Sequence, residues 1–333
     1  MKVLITALSV ASSPAAITLL EQAGHDVVVR TTPTPFDENW LVEQVKDVDA
    51  LVVAMEPVTK RVLDAAKKLK IIARPGVGYD TIDLGTATQN GVAVTVASGT
   101  NHESVADFTF ALLLQASRGI APAAASVAQG GWTRITGTEA WGKTLVIVGL
   151  GAIGKAVARR ALGFDMRVIA VTRDGQAPQP NMPGVEILPL DAALGLADFV
   201  SLHAPLTEKT TNLINASAIG KMKAGAYLIN TSRGGLVDEQ ALAQAVSSGH
   251  LAAAAVDVLR EQGPSSKSPL INVPGIIVTP HMATFTREAS GRVALSVAHA
   301  ILSIFNGEQP DHIVNPAAII QHQTSDKTSV APT

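Results

Sequence analysis

Short apolar runs without alternation recur along the chain, at residues 2–6, 26–30, 50–54, 71–73, 92–96, 144–148, 167–172, 199–202, 226–230, 253–258 and 276–278. Runs of this kind suit strands buried on both faces of a parallel sheet. Longer stretches with helical spacing alternate with them, at 13–23, 60–69, 82–90, 101–117, 155–162, 216–222, 239–248 and 287–306. Gly24 and Gly91 stop the first and third of these. The rhythm predicts an α/β protein built on two doubly wound parallel sheets. One sheet takes the residues up to about 98, the other those from about 146 to 278. The helix at 101–117, with Val105, Phe108, Leu112 and Gln115 on one face, is expected to carry the chain into the second domain. The helix at 287–306 should return it to the first, making that domain discontinuous.

Composition agrees with two domains, because 333 residues are long for one hydrophobic core and 47% apolar residues can fill two. The net charge is −2 and no basic stripe occurs, so neither nucleic acid nor an anionic membrane is expected as a partner. Cysteine is absent, which excludes disulfides, thiolate metal sites and Cys nucleophiles. Lys2 and the apolar run behind it imitate a secretory signal, but strand, helix and strand over 2–30 account for the same residues. No apolar run reaches the roughly 18–20 residues that span a bilayer, so a cytoplasmic protein is expected. The polar stretch 321–333 reads as a disordered tail. Trp132 and Trp141, on the link before residue 144, read as packing or dimer contacts.

Candidate chemistry begins at the strand 144–148. Gly149 allows a tight turn, Gly151 lets backbone approach a pyrophosphate, and Gly154 lets the next helix pack closely. The helix at 155–162 aims its free N–H groups at phosphates, and Ala152 and Ile153, between the glycines, are further cofactor-binding candidates. A strand before, a helix after and a second strand at 167–172 give the pattern the βαβ context of a Rossmann dinucleotide site. A second glycine pair lies in Arg74-Pro-Gly-Val-Gly-Tyr-Asp80, directly after a strand. Gly76 and Gly78 fit either an anion-binding nest of N–H groups or a tight loop that needs positive φ. Arg233, Asp257 and His281 fall just beyond strand C-termini of the second sheet. Each alone is ambiguous; beside a nucleotide site they form a candidate active site.

At these residues the chain resembles the D-isomer-specific 2-hydroxyacid dehydrogenases. The matching motifs are residues 76–83 (GVGYDTID), 149–154 (GLGAIG), 203–207 (HAPLT), 230–238 (NTSRGGLVD), 255–258 (AVDV) and 279–283 (TPHMA), collinear with the family's order. The resemblance implies a flavodoxin-like substrate domain of residues 1–99 and 285–320 and a nucleotide domain of 100–284, with the site in the cleft between them and a homodimer formed through the nucleotide domains. It implies that Arg233 holds the substrate carboxylate and polarises the keto group, and that His281 is the acid or base at the reacting oxygen. Val77 and Gly78 would donate N–H groups to the carboxylate, and Asp257 would bond the nicotinamide carboxamide. His203, Ala204, Pro205, Thr231 and Ser232 would line the cofactor. The implied substrate is a small 2-keto or 2-hydroxy acid, and no metal is expected.

Two departures from the family pattern matter. Where the family has a Glu beside the catalytic His, strict spacing places Gln262, with Glu261 one residue early. A carboxylate partner would raise a His pKa by about 1–3 units; an amide can orient the ring without supplying charge. Formate dehydrogenases of the same superfamily carry Gln there, and Asn101 resembles their formate-contacting Asn, so formate oxidation is the rival reading. A corepressor-like nucleotide sensor is the rival of another class. The second departure is Thr172-Arg173 where NAD-specific members end a strand in Asp. Loss of that carboxylate and gain of a guanidinium favour NADP(H), with NAD(H) the alternative and Asp174 a further ribose candidate. Arg74 fits either a second anionic group of the substrate or a solvated surface.

Overall fold

The structure, a computed structural model, describes residues 1–30, 37–173 and 182–319. The expected tail at 321–333 and Asp174 lie outside the described residues. In chain order the first elements are β1 (Lys2–Ile5), α1 (Leu8–Ala11), α2 (Pro14–Gln22), β2 (Asp26–Val29), α3 (Glu38–Gln44), β3 (Ala50–Val52), α4 (Lys60–Ala65), β4 (Ile71–Arg74), α5 (Leu84–Gln89) and β5 (Ala93–Val96). Then come α6 (His102–Arg118), α7 (Ile120–Ala128), β6 (Thr144–Val148), α8 (Ala152–Gly163), β7 (Arg167–Val171), β8 (Val185–Ile187), α9 (Leu190–Leu196) and β9 (Phe199–Leu202). The last are α10 (Ala216–Lys221), β10 (Ala226–Asn230), α11 (Glu239–Ser247), β11 (Leu251–Val256), β12 (Ile276–Val278) and α12 (Arg287–Phe305).

The chain divides into two compact units, one of Met1–Asn101 with Phe285–Thr333 and the other of His102–Thr284. The first unit holds a five-stranded parallel sheet in the order β2-β1-β3-β4-β5, the flavodoxin-like order. α12 packs on it through Ala294, Val297, Ala298 and Ile301, all buried with Val3, Ile5, Val52 and Ile71. After α12 the chain covers the β5 edge: Val314 N–H donates to the Val94 carbonyl, Asn315 Oδ1 accepts from Val94 N–H at 2.7 Å, and Asn315 Nδ2 donates to the Val92 carbonyl at 2.9 Å. Such cover removes an unpaired strand edge.

The second unit holds seven parallel strands in the order β12-β11-β10-β9-β6-β7-β8. Strand order reverses at β6, so the loop after β6 opens at the switch point between β6 and β9. One face packs Ile147, Phe199 and Tyr227 against Phe110 and Leu113 of α6 and Val157 of α8, with the Phe199 and Tyr227 rings stacked 4.9 Å apart. The other face buries Leu228 and Leu242 with Leu202 and Ile219.

Several sequence expectations shift. The helix expected at 101–117 is α6, and Ala106, Thr109, Phe110, Leu113 and Ser117 lie on its buried side beside Val105 and Leu112. Phe108 and Gln115 are only half-buried, because the buried side of the helix is centred on Ala106, Thr109, Phe110 and Leu113 instead. The strand expected at 253–258 starts and ends earlier, so Asp257 stands just past it. Elements α1, α3, α7, β8 and α9 lie where no regular structure was expected. α7 buries no residue, so it has no polar and apolar faces to read. No single described helix is long and apolar enough to cross a membrane.

Candidate active site

Three glycines shape the loop after β6, each for a different reason. Gly149 has φ +98°, and a Cβ there would stand 2.7 Å from Ala204 N and from the His203 carbonyl. A Cβ on Gly154 would meet the Gly149 oxygen at 2.1 Å, so only glycine lets α8 start this close. Gly151 is different: its φ is −75° and a Cβ would meet no protein atom within 4 Å. The folded chain does not itself require glycine there, whereas a phosphate approaching the N-terminus of α8 at Ala152 and Ile153 does. These residues fit a dinucleotide. Thr172, half-buried, and Arg173, exposed, follow β7 at the side where a nucleotide ribose would lie.

His203 N–H donates to the Val148 carbonyl at 2.8 Å, which ties the residue beside the glycine loop. Its Nε2 meets Ser201 Oγ at 2.7 Å, and its Nδ1 is buried with no partner among the described residues. Burial pushes the imidazole down to about 3, so the ring is neutral at neutral pH. Ser232 Oγ donates to the Ala204 carbonyl at 2.8 Å, and Thr231 Oγ1 lies 2.9 Å from Thr109 Oγ1 on α6. Pro205 adds a carbonyl that accepts from Thr210 Oγ1 at 2.7 Å.

Arg233 sits on a turn held by a residue that strand reading left unassigned. Asn230, 1% exposed, accepts the Ser232 N–H at 3.0 Å through Oδ1 and donates from Nδ2 to the Arg233 carbonyl at 2.9 Å. The Arg233 guanidinium is half-buried, and one of its nitrogens donates to the Ser232 carbonyl at 2.8 Å. Next to it a Cβ on Gly234 would stand 2.1 Å from the Leu259 carbonyl carbon, so the Arg233 turn and the segment carrying Gln262 are in direct contact. Buried Glu239 fixes that segment, accepting from Arg260 N–H at 2.7 Å and from Ser268 Oγ at 2.7 Å.

His281 has φ +54°, in the left-handed region that a non-glycine residue adopts at some cost. Asp257 determines that conformation. Its Oδ1 accepts from Thr279 Oγ1 at 2.6 Å and Met282 N–H at 2.9 Å, its Oδ2 from Ala283 N–H at 2.8 Å, and its carbonyl from His281 N–H at 2.8 Å. Asp257 is 1% exposed, and three of roughly four carboxylate acceptor positions are filled, so its first role is to build the histidine turn. Gln262 Oε1 lies 2.8 Å from His281 Nδ1, while Glu261 is exposed. With Nδ1–H donating to the amide oxygen, Nε2 becomes the nitrogen that exchanges protons.

In the first unit, Arg74 is 5% exposed and turned inward, its Nε donating to the Gly78 carbonyl at 2.8 Å and another nitrogen to the Val53 carbonyl at 3.3 Å. Ala97 N–H takes the Arg74 and Gly76 carbonyls. With these carbonyls tied inward, the N–H groups of Val77 and Gly78 donate to no acceptor among the described residues. Neither Gly76 nor Gly78 has positive φ, and a Cβ on Gly76 would meet nothing within 4 Å. Asn101 is buried at the end of this segment, 3% exposed.

Residues 110–283 match the D-isomer specific 2-hydroxyacid dehydrogenase NAD-binding domain. The chain is 39% identical over 292 residues to a glyoxylate reductase of Korarchaeum cryptofilum, covering 86% of this chain and 88% of that protein. It is 42% identical over 295 residues to a D-3-phosphoglycerate dehydrogenase of Mycobacterium tuberculosis, covering 88% of this chain but only 56% of that longer protein. Among solved structures, the TT0316 protein of Thermus thermophilus superposes with a TM-score of 0.86 at 36% identity, covering 94% of this chain and all of that one. With both sheets and the glycine-rich loop in place, the chain belongs to the D-isomer specific 2-hydroxyacid dehydrogenase family, enzymes that use NAD(P) to oxidise 2-hydroxy acids or reduce the corresponding keto acids.

Proposed function

We propose that this chain reduces small 2-keto acids to D-2-hydroxy acids and that NADP(H) is its preferred cofactor. The observation that carries the reading is the His281 turn, in which Asp257 fixes the backbone and Gln262 fixes the ring. The nicotinamide cofactor, when bound, supplies the hydride. Arg233 pairs with the substrate carboxylate through its planar guanidinium and draws electron density from the keto oxygen. His281 delivers a proton from Nε2 to that oxygen as it becomes an alkoxide, and takes the proton back in the reverse reaction. The free N–H groups of Val77 and Gly78 receive the carboxylate, and Asn101 borders the same segment. Arg74 holds the shape of this turn from behind.

Preference for NADP(H) follows from Arg173 and from a hydroxyl at Thr172 where a ribose-binding carboxylate would repel a 2′-phosphate. Exposed apolar side chains of α7 and of the segment after it, Ile120 at 53%, Val127 at 51% and Trp132 at 77%, support a homodimer through this unit. The second reading, formate oxidation, is favoured by one observation only, the amide partner of His281. The test is cofactor oxidation with glyoxylate and hydroxypyruvate, using NADPH and NADH, beside cofactor reduction with formate. Keto acid turnover preferring NADPH is expected; turnover with formate alone would replace the first reading by the second.

A further inference from the structure

The first unit contains a buried acid that the reaction above does not use. Glu56 follows β3 and is 5% exposed. Its Oε2 accepts from Ala54 N–H at 2.7 Å, and among the described residues nothing donates to its Oε1. A carboxylate this deeply placed, with one hydrogen bond for two oxygens, keeps acceptor positions to offer a cation or donor. No described Lys, Arg or His lies within ion-pairing distance of it.

Its place in the fold says what could complete it. In the order β2-β1-β3-β4-β5 the chain direction across the sheet reverses between β1 and β3, and ligands of such sheets bind beyond the strand C-termini at that reversal. Glu56 stands there. The segment after β3 also runs beside the glycine turn after β4, pinned at one end by Arg74 on the Val53 carbonyl at 3.3 Å and at the other by Val58 N–H on the Thr81 carbonyl at 2.9 Å. Between those pins one segment offers the free N–H groups of Val77 and Gly78, and the other offers Glu56 Oε1. The pair of signs suits a ligand with a carboxylate at one end and a cation at the other.

We propose that Glu56 is a specificity-determining residue that selects 2-keto acids whose side chain ends in an ammonium or guanidinium group and rejects those ending in phosphate or carboxylate. The proposal rests on the keto acid reading, with the Val77 and Gly78 amides receiving the substrate carboxylate. A charge-assisted hydrogen bond to Oε1 strengthens binding, while a second anion meets like-charge repulsion.

The experiment compares kcat/KM for 5-guanidino-2-oxopentanoate, neutral 2-oxohexanoate, 2-oxoglutarate and glyoxylate, in the natural protein and in Glu56→Gln and Glu56→Ala. The natural protein should prefer the guanidino acid to 2-oxoglutarate by about 100-fold or more, and both variants should lose at least about 10-fold of that ratio. Glyoxylate has no side chain, and its kcat/KM should stay within about twofold. Equal loss for every substrate, glyoxylate included, would make Glu56 structural and overturn the proposal, as would a natural protein indifferent to side-chain charge. Calorimetric titration with 5-guanidinopentanoate and with glutarate reads the same preference without turnover. Charge-selective binding by a protein that reduces no keto acid would retain the Glu56 site and overturn the reaction; turnover of glyoxylate without charge-selective binding would do the reverse.

Discussion

A histidine whose ring is held by an amide and one held by a carboxylate differ in charge, even when geometry is the same. Gln262 Oε1 at 2.8 Å from His281 Nδ1 orients the ring and lends no negative charge. Replacing it by Gln262→Glu should raise the His281 pKa by about 1–3 units. Keto acid reduction needs the protonated ring and fades as pH rises through that pKa, so the variant should hold its activity to correspondingly higher pH. The pH profile of kcat/KM checks this; an unmoved high-pH limb would mean that another group donates the proton. The family resemblance, counted strictly from Asp257, placed Gln262, because a fixed offset in a short segment leaves little freedom. Asn230 and Glu56 were not legible in the same way. Asn230 read only as the end of a buried strand and the start of a motif, and Glu56 drew no reading; the fold shows what each one bonds.

At the scale of elements, strands buried on both faces were legible because they carry unbroken apolar runs. Helices of uniform composition were not. α7, Ile-Ala-Pro-Ala-Ala-Ala-Ser-Val-Ala, offers no contrast between faces and buries nothing within its own unit. The loop between β6 and α8 was legible as a pattern, but its glycines act on different objects, and a pair of substitutions separates them. Gly154→Ala drives a Cβ to 2.1 Å from the Gly149 oxygen and should lower stability by several kcal/mol, at least about 2–3. Gly151→Ala finds open space, so the melting temperature of the free protein should hardly change while NADPH affinity falls about 10-fold or more. Melting curves and NADPH fluorescence titrations read the two effects apart; loss of stability in Gly151→Ala without loss of affinity would remove the phosphate from that loop.

Over the whole molecule, the polar edge proposed for the nucleotide also links folding to acidity. His203 is held neutral by burial, at about 3 against an ordinary value of 6.5. The unfolded chain therefore binds a proton between those values that the folded chain refuses, and stability is complete above about 6.5 and declines as pH falls toward 3. That single group contributes a slope of up to about 1.4 kcal/mol per pH unit in this window. Denaturant unfolding of His203→Gln should show a flatter dependence there, and an unchanged slope would assign acid sensitivity to carboxylates alone. The chain's division into two units follows from α12, whose Ala294 and Ala298 lie on the sheet of residues that precede it by more than two hundred positions. The sequence already assigned the helix at 287–306 to the first domain, and the fold adds which of its residues meet that sheet, Ala294, Val297, Ala298 and Ile301.

Proton-coupled hydride transfer to a 2-keto acid by Arg233 and His281, as proposed above, is open to a single assay. Purified protein is given NADPH with glyoxylate and, separately, NADP with formate, and the absorbance of the reduced cofactor is followed. Rapid oxidation with glyoxylate and silence with formate is the result predicted here. Reduction of the cofactor by formate, with glyoxylate inert, would contradict it and leave Gln262 as the residue that defines the chemistry.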